Sequence, residues 1–290
     1  MVFQYHFDFA DEDILTEHSS VQSRGVIRIC RKEKLPDLPY RYPWTEASGR
    51  ELRYMTHMPF SEDQNILFWG MEIKDVLSLY WDHTRQELWY TEGKEYTPER
   101  LRFWVYHTFA PIMFELHETY RIIHVGAVEI AGRAVLFAAP SFGGKSTLTA
   151  HFLERGHSLL SDDTLGIEKR DQEYRAIPSY PFYRPYREAE TLGYKAEQFA
   201  LEPKPVACIY QLERSDNVTS VVIEKVTGID KFKVLHYSSF VYFSFMKEER
   251  FSFFTQMADT VPLYKITYPN DIERVPDVYH AVILHTASLS

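Results

Sequence analysis

The residues that could do chemistry are concentrated in one stretch, residues 134–163. It matches the pattern G-x-x-x-x-G-K-[ST] at every required position but one. The exception is Ala139, which stands where the first glycine is usual. The pattern ends on Gly144, Lys145, Ser146 and Thr147. In a loop of this kind, backbone N–H groups and a helix N-terminus face the phosphates of a nucleotide, the lysine adds a mobile positive charge, and the hydroxyl binds the accompanying Mg²⁺. The sequence therefore predicts a phosphate-binding loop of the Walker A type.

We expect the whole of this loop to contact the nucleotide. Its residues are Ala139, Pro140, Ser141, Phe142, Gly143, Gly144, Lys145, Ser146 and Thr147. The methyl group of Ala139 is compatible with the loop if the backbone there has a negative φ, and it would strain the loop if a positive φ is needed. A chance turn at a helix start is the alternative interpretation, and the strand and helix predicted on either side argue against it.

Two adjacent carboxylates, Asp162 and Asp163, follow the loop. One of them suits Mg²⁺, directly or through water, and the other could take the proton of an attacking hydroxyl group. By analogy with a Walker B pair, we assign Asp162 to Mg²⁺ and Asp163 to the proton, and the two roles could be exchanged. The alternative is a solvated Asp-Asp turn with no chemistry.

Three predicted elements must position these groups. The apolar run 134–139 predicts a buried strand, residues 140–143 interrupt it, and residues 145–155 have helical spacing. A second short apolar stretch, 159–160, leads into the aspartates. A strand, a crossover helix and a parallel strand return the chain to the same edge of a sheet, so we expect the two aspartates beside the phosphates.

Three segments of this region resemble the catalytic domain of HPr kinase/phosphorylase and its wider kinase group. They are residues 124–130 (HVGAVEI), the loop 139–147, and residues 154–163. In that family a histidine precedes the loop and an Asp-Asp pair follows it. The same intervals occur here, with 21 residues from His124 to Lys145 and then 17 and 18 residues to the two aspartates. The resemblance is strong over residues 120–169 and diffuse beyond.

The resemblance implies an ATP-dependent kinase that uses Mg²⁺ and has Asp163, Asp162, His124 and Lys145 at its catalytic centre. We expect His124 to lie in a hairpin formed by residues 122–130 and 133–139, across from the residues that lead into the loop. Its imidazole could there bond the loop backbone or a phosphate oxygen, with support of the loop favoured over direct catalysis. A purely structural strand histidine is the alternative.

The chain departs from the family in residues 177–186 (IPSYPFYRPY), where HPr kinases carry a Glu-Arg-Gly signature. This segment looks more like divergent members of the group, some of which phosphorylate peptide natural products such as lasso peptides. Arg184 and Arg187 lie in or next to it. A phosphoryl-transfer site needs cations beyond one lysine, so either could contact the nucleotide or the transition-state phosphate. Solvated surface arginines are the alternative.

Composition restricts the class of partner. The chain has 290 residues and a net charge of −9, which argues against general attraction to nucleic acid or an anionic membrane. Its two cysteines are far apart in sequence and suggest neither a disulfide framework nor a zinc site. The N-terminus does not resemble a signal peptide, and no apolar run approaches the ~20 residues of a membrane helix. We therefore expect a cytoplasmic protein.

The first hundred residues have a different character from the loop region. The alternation of apolar and polar residues predicts a half-exposed antiparallel sheet of short strands at 3–9, 26–30, 52–58, 66–73, 77–81 and 87–91. Its aromatic residues are expected in the sheet core, and a peptide-binding surface is the alternative. Thr97 and Pro98 start a predicted helix that runs to about residue 120, with a possible kink at Pro111.

Beyond the aspartates the patterns are weaker. They predict a hairpin (164–169 and 173–177), strands (206–213, 220–225 and 263–267), helical stretches within 231–257, and a closing helix from about residue 276.

These observations predict an α/β protein (α+β overall), with a β-rich N-terminal region (1–96), a connecting helix (97–120) and a P-loop catalytic domain of the HPr-kinase type (121–290). The predicted activity is transfer of the γ-phosphoryl group of ATP, with Mg²⁺, to a hydroxyl of a peptide, protein or small molecule. The chain could form a homo-oligomer. A nucleotide-binding regulatory module and an ATPase that uses water as acceptor are the alternatives, and the sequence leaves ATP and GTP undistinguished.

Overall fold

The computed structural model describes residues 1–9, 23–61, 66–140, 142–186, 188–241 and 243–289. It divides into two compact units, Met1–His117 with Arg187–Leu192, and Glu118–Tyr186 with Gly193–Ser290. The first unit therefore contains the segment predicted as a connecting helix, together with a short piece from the middle of the predicted catalytic region. The chain is a mixed α/β protein in which both units contain a large sheet.

The first unit is built on one sheet. Its strands are β1 (Tyr5–Phe9), β2 (Gly25–Arg31), β3 (Tyr40–Arg41), β4 (Thr45–Ala47), β5 (Arg50–Thr56), β6 (Phe68–Ile73), β7 (Leu77–Asp82) and β8 (Glu87–Glu92). They are ordered β1-β2-β8-β7-β6-β5-β3, and β4 also pairs with β5. All six predicted strands are confirmed. The expectation of a wholly antiparallel sheet is wrong, because β2 pairs in parallel with both β1 and β8. The long chain between β2 and β8 supplies the connection that a parallel pair requires.

The aromatic residues of this sheet form its core. Trp69 and Trp81 are almost fully buried, and Trp69 stacks on Phe109 with ring centroids 4.4 Å apart. On the neighbouring positions, Tyr80 stacks on Trp89 at 5.4 Å. These contacts favour the prediction of a packed core over that of a peptide-binding surface.

The helix predicted from Thr97 is present but is not uniform. It consists of α1 (Pro98–Trp104), a π-helical turn (Val105–Phe109) and α2 (Ala110–Leu116). The Thr97 side chain caps the start of α1 by accepting the Arg100 N–H. Pro111 has no N–H and its ring crowds the carbonyl four residues earlier, so a helix that contains it must deform nearby. The predicted kink is replaced by a widened turn in which Ala110 N–H bonds the Val105 carbonyl, five residues back.

Residues 188–192 are held in the first unit by a buried carboxylate. Glu190 is 5% exposed and accepts hydrogen bonds from Arg50 (Nη2, 2.7 Å) and from Trp104 Nε1 (2.8 Å). Arg100 Nε lies 3.1 Å from the same carboxylate. Two cations and an indole N–H thus compensate the buried charge, as such a group requires.

The second unit contains the predicted loop. Its strands are β9 (Arg121–His124), β10 (Gly126–Ile130), β11 (Arg133–Ala138), β12 (Leu159–Ser161), β13 (Thr164–Arg170), β14 (Glu173–Ile177), β15 (Phe182–Tyr183), β16 (Tyr194–Lys195), β17 (Lys204–Ser215), β18 (Val222–Lys225) and β19 (Leu263–Pro269). Its helices are α3 (Lys145–Leu153), α4 (Ile229–Tyr237), α5 (Lys247–Thr260) and α6 (Val275–Ala287), with 3₁₀ turns at Ser244–Met246 and Ile272–Arg274.

The larger sheet of this unit is ordered β12-β10-β11-β17-β14-β13-β9, and β19 also pairs with β17 and β18. The side chains of β11 alternate between the two faces of the sheet, and both faces are covered. Leu136 packs in a cluster with Leu235 of α4 and Met257 of α5, whereas Phe137 packs in a second cluster that includes residues of α3 and α6. Helices on both faces of a sheet form a three-layer α/β unit.

One predicted pairing around the loop is wrong. β10 lies between β11 and β12 and is antiparallel to both. The two strands therefore still run in the same direction. The predicted strand 122–130 is broken at Val125, so that β10 pairs with β11 while β9 pairs with β13. Among the described residues, no helix is long and apolar enough to cross a bilayer.

Candidate functional site

The predicted phosphate-binding loop connects the end of β11 to the start of α3. Gly144, the residue before the helix, has φ +94°, a conformation that favours glycine. Gly143 is required by space, since a Cβ there would lie 2.7 Å from the Ala139 Cβ and 2.9 Å from the Pro140 carbonyl oxygen. Phe142, at the tip, has φ +63° and is 80% exposed. Ser141 lies outside the described residues.

Ala139 meets the condition under which its methyl group is tolerated. It is not among the described non-glycine residues with positive φ. The loop therefore opens in a conformation that any L-residue adopts. The space that a glycine would leave open at this position is instead occupied by the methyl group, which packs towards Gly143.

The Lys145 side chain lies against the predicted phosphate-binding loop. Its Nζ donates to the carbonyl oxygens of Ala139 (2.6 Å) and Pro140 (3.3 Å), and the residue is 4% exposed. These contacts satisfy hydrogen bonds of the buried ammonium group. Nζ therefore lies against the backbone at the start of the loop.

Asp162 lies beside the first turn of α3. Its Oδ2 accepts the backbone N–H of Arg184 (2.8 Å), and the Ser146 hydroxyl is close enough to lower the pKa of the carboxyl. Burial is the larger effect, and together with the charge of Asp163 it raises this pKa above its ordinary value. Oδ1 is buried and makes no hydrogen bond of normal geometry within the described residues. A buried carboxylate oxygen without a partner, next to a hydroxyl, is a place where a cation would be stabilised.

Asp163 is held between two cationic or potentially cationic groups. His124 Nδ1 lies 3.2 Å from its Oδ1, and Arg184 Nη2 lies 3.6 Å from its Oδ2. Its backbone N–H donates to the Ser161 hydroxyl at 3.2 Å. The location predicted for His124, across from the residues that lead into the loop, is wrong. His124 belongs to β9 and pairs with Thr164 of β13, and that register brings it to the aspartate.

Arg184 reaches both aspartates from the segment that interrupts regular structure. Its backbone contacts Asp162 and its guanidinium faces Asp163. Tyr180 of the same segment is buried near them, and burial, with the charge of Asp163, raises the pKa of its phenol. The sequence identified Arg184 as a candidate but assigned no role to Tyr180. Arg187 lies outside the described residues.

Two further residues at the loop were missed. A Cβ on Gly144 would lie 2.8 Å from Tyr268 Oη and 2.9 Å from Arg214 Nη2, so both side chains contact the turn that precedes Lys145. Arg214 ends β17 and Tyr268 lies near the end of β19. Neither Arg214 nor Tyr268 belongs to a local sequence motif. Only the parallel pairing of β17 with β11 and of β19 with β17 could have identified them, because it brings their C-terminal ends to the edge that holds the loop.

The structure thus brings together the loop 139–147, Ser146, the two aspartates, His124 and Arg184. Within the described residues there is no group of three or more His, Cys, Asp and Glu side chains that could share a metal ion. A site for Mg²⁺ bound to a nucleotide does not need one, because this ion usually takes one or two carboxylates and completes its shell with phosphates and water.

Comparison with known proteins gives a limited result. No model of a known protein family matches the sequence, and no curated protein matches it. Among solved structures, the chain is similar to the Hpr(Ser) kinase/phosphatase from Coxiella burnetii, with a TM-score of 0.37 and 12% identity. The match covers 58% of this chain and 91% of that chain. At this level the likeness is distant and concerns the fold alone.

Proposed function

We propose that the protein is an ATP-dependent kinase of the HPr-kinase type that transfers the γ-phosphoryl group to a hydroxyl of a peptide or protein. The observation that carries the proposal is the convergence of two aspartates on the phosphate-binding loop, one beside Ser146 and the other between His124 and Arg184. Nucleotide binding alone would not need the second, separately held carboxylate.

The loop and α3 would bind the phosphates. Backbone N–H groups at the start of α3 and the Lys145 ammonium supply positive charge to an anion at this edge of the sheet. On binding, Lys145 would exchange the carbonyls of Ala139 and Pro140 for phosphate oxygens. Arg184 adds a second cation near the aspartates, where charge on the transferred phosphoryl group needs compensation.

The residues present fit a Mg²⁺ ion. Ser146 and Asp162 would hold it, and the unpartnered Oδ1 of Asp162 is the group that it would satisfy. Bound there, the ion would neutralise charge on the phosphate oxygens.

Asp163 would act as the base. Its carboxylate would accept the proton of the acceptor hydroxyl as that oxygen forms a bond to the γ-phosphorus and the bond between this phosphorus and the leaving oxygen of ADP breaks. His124 and Arg184 would orient the carboxylate. The contact of Asp162 with Ser146, and that of Asp163 with His124, support this division of roles.

The test is phosphorylation of an identified acceptor. The purified protein would be incubated with Mg-ATP and hydroxyl-bearing peptides and proteins encoded by neighbouring genes, and gain of one phosphate measured by mass spectrometry. We expect Asp163→Asn to lower turnover by about 10²–10⁴ while leaving Mg-ATP affinity nearly unchanged. Asp162→Asn should instead weaken Mg²⁺-dependent binding. Asp171→Asn, at an exposed turn, is the matched control.

Each outcome separates the alternatives. Reversed phenotypes would exchange the roles of the two aspartates and leave the kinase proposal standing. Wild-type phosphorylation by both variants would contradict it. Steady release of inorganic phosphate without an acceptor would favour an ATPase, and nucleotide binding with neither product would favour a regulatory module.

A further inference from the structure

The phosphate-binding loop has a second flank that the proposed chemistry does not use. β17 and β19 run parallel to β11, in the order β11-β17-β19, so their C-terminal ends reach the edge of the sheet that carries the loop. The aspartates follow β12, on the other side of β11. If a nucleotide binds its phosphates in the loop with the reacting end towards the aspartates, β17 and β19 lie on the side of its other end.

A pocket lies in that direction. Leu148, Val275 and Val278 give it an apolar lining from α3 and α6, while Arg214, Tyr268 and Asn270 come from the ends of β17 and β19. Its volume is about 50 Å³. One water needs roughly 10–15 Å³ on this measure, so the pocket accepts the edge of a planar ring and leaves the rest at the surface.

The pocket opens directly onto the loop. Gly144 is one of its lining residues, and the Tyr268 hydroxyl and the Arg214 guanidinium both contact that glycine. Thr147 of the loop lines the pocket as well. The pocket is therefore adjacent to the loop, at a place that the base of a nucleotide bound by its phosphates could reach.

We infer that this pocket binds the base of the nucleotide and that Asn270 selects adenine over guanine. The inference rests on the proposed function, because it assumes a nucleotide in the loop. A carboxamide offers one acceptor and one pair of donors, which match N6 and N7 of adenine in a bidentate pair. The same edge of guanine presents two acceptors, O6 and N7, so the carboxamide oxygen would face O6 with no proton between them.

The experiment distinguishes binding of the base from binding of the phosphates, because one of its ligands lacks the base. Affinities of Mg-ATP, Mg-GTP and Mg-tripolyphosphate are measured by calorimetry for the wild type, Asn270→Ala and the control Asn217→Ala. Both asparagines are exposed, and Asn217 lies in the turn after β17, away from the pocket lining. Loss of a bidentate pair should lower ATP affinity about tenfold or more in Asn270→Ala, remove the preference for ATP over GTP, and leave tripolyphosphate affinity unchanged.

The variant Arg214→Ala provides a second test of the same pocket. Its guanidinium contacts Gly144, where the pocket meets the loop, so its loss should weaken ATP and tripolyphosphate alike. Arg170→Ala, at the exposed end of β13, is the control. The two variants thus predict different patterns across the three ligands.

The outcomes distinguish this inference from the proposed function. If Asn270→Ala binds ATP as the wild type does, or loses ATP and tripolyphosphate equally, the assignment of the base pocket is wrong while the loop keeps its role. If the wild type binds all three ligands with the expected preference but phosphorylates no acceptor, the kinase proposal fails and the base pocket stands. If the wild type binds neither ATP nor tripolyphosphate, both are overturned.

Discussion

Lys145 holds a position in this structure that a nucleotide would have to change. Its Nζ donates to two carbonyls of its own loop, so a bound phosphate would replace existing hydrogen bonds. The gain in free energy would come from the charge on the new partner, because hydrogen bonds between ionised groups are stronger than those to a carbonyl.

The first prediction concerns this exchange. Mg-ATP at 100 times its dissociation constant should stabilise the wild type by about 2.7 kcal/mol, seen as a higher melting temperature. Lys145→Met keeps the buried apolar stem and removes the charge, so it should lose most of that gain. Lys169→Met, at an exposed position, should behave as the wild type. An undiminished shift in Lys145→Met would contradict the role of the lysine.

The second prediction concerns the pair formed by Ala139 and Gly143. Because Ala139 already has an ordinary φ, Ala139→Gly should not tighten nucleotide binding and should cost about 0.4–1 kcal/mol of stability through the unfolded chain. Gly143→Ala should weaken Mg-ATP binding, since its Cβ would meet both the Ala139 methyl group and the Pro140 carbonyl. The double variant should remain impaired, because the carbonyl contact persists. Full recovery of affinity in the double variant would show that the methyl group is the sole obstacle.

At the scale of elements, the segment 178–186 contributes through its backbone as well as its side chains. The bond from Arg184 N–H to Asp162 does not depend on the arginine side chain, whereas the contact with Asp163 does. Arg184 therefore contacts the two aspartates through different groups, Asp162 through its backbone N–H and Asp163 through its guanidinium.

The third prediction follows from this separation. Arg184→Ala should preserve the position of Asp162 and with it most Mg²⁺-dependent nucleotide affinity, but lower turnover by about 10²-fold through loss of a cation at the transferred phosphoryl group. Steady-state kinetics and calorimetry on the same preparation measure both. Arg175→Ala, on β14, is a control in the same unit. An equal loss of affinity and turnover would mean that Arg184 binds the ground-state phosphates.

The elements that a local pattern can specify were predicted well. The loop between an apolar strand and a helix, the β13–β14 hairpin and the proline-capped start of α1 each depend on neighbours in sequence. The sequence could not predict that β10 separates β11 from β12, or that β9 leaves the hairpin to pair with β13. Those pairings depend on contacts between distant segments, and apolar alternation is the same for either partner.

The site shows the same limit. Asp162, Asp163 and the loop belong to recognisable local patterns, so the sequence could single them out as candidates. The contact of His124 with Asp163 depends on the register of β9 against β13, and Arg214 and Tyr268 depend on strand order. No residue type or spacing in the sequence distinguishes Arg214 from any other exposed arginine at the end of a strand.

At the scale of the whole molecule, the two units can be observed separately. All five tryptophans of the chain lie within residues 1–117, so tryptophan fluorescence reports the unfolding of the first unit alone. That unit contains a titratable group that should make its stability depend on pH. Trp81 Nε1 donates to His117 Nε2 at 2.9 Å, and this bond requires a neutral ring nitrogen.

The fourth prediction concerns His117. Burial, with a smaller effect of His83, lowers the pKa of His117 to about 3, so the unfolded chain binds a proton more readily than the folded one. Its contribution to stability is therefore present above about pH 6.5 and is lost as the pH falls towards 3. Between pH 7 and pH 5 the free energy of unfolding should fall by about 2 kcal/mol from this group, at roughly 1.4 kcal/mol per pH unit.

Urea unfolding followed by tryptophan fluorescence at pH 7 and pH 5 measures this loss. His117→Gln can still accept the Trp81 N–H and does not titrate, so its stability should fall less between the two pH values than that of the wild type. His57→Gln, at an exposed position, should match the wild type. Equal losses in all three proteins would contradict the role given to His117.

The carboxylate of Glu190 has a consequence for how the gene can be divided. A fragment that begins at residue 118 would encode the loop, both aspartates and the pocket beside the loop, yet its Glu190 would have lost Arg50, Arg100 and Trp104. A fragment that ends at residue 117 would carry those three residues without their anion. Breaking a buried ion pair by removing one partner typically costs about 3–5 kcal/mol. A single recombination event after codon 117 could therefore not exchange the first unit for another. The incoming segment would also need partners for the carboxylate of Glu190, which is encoded more than seventy codons downstream.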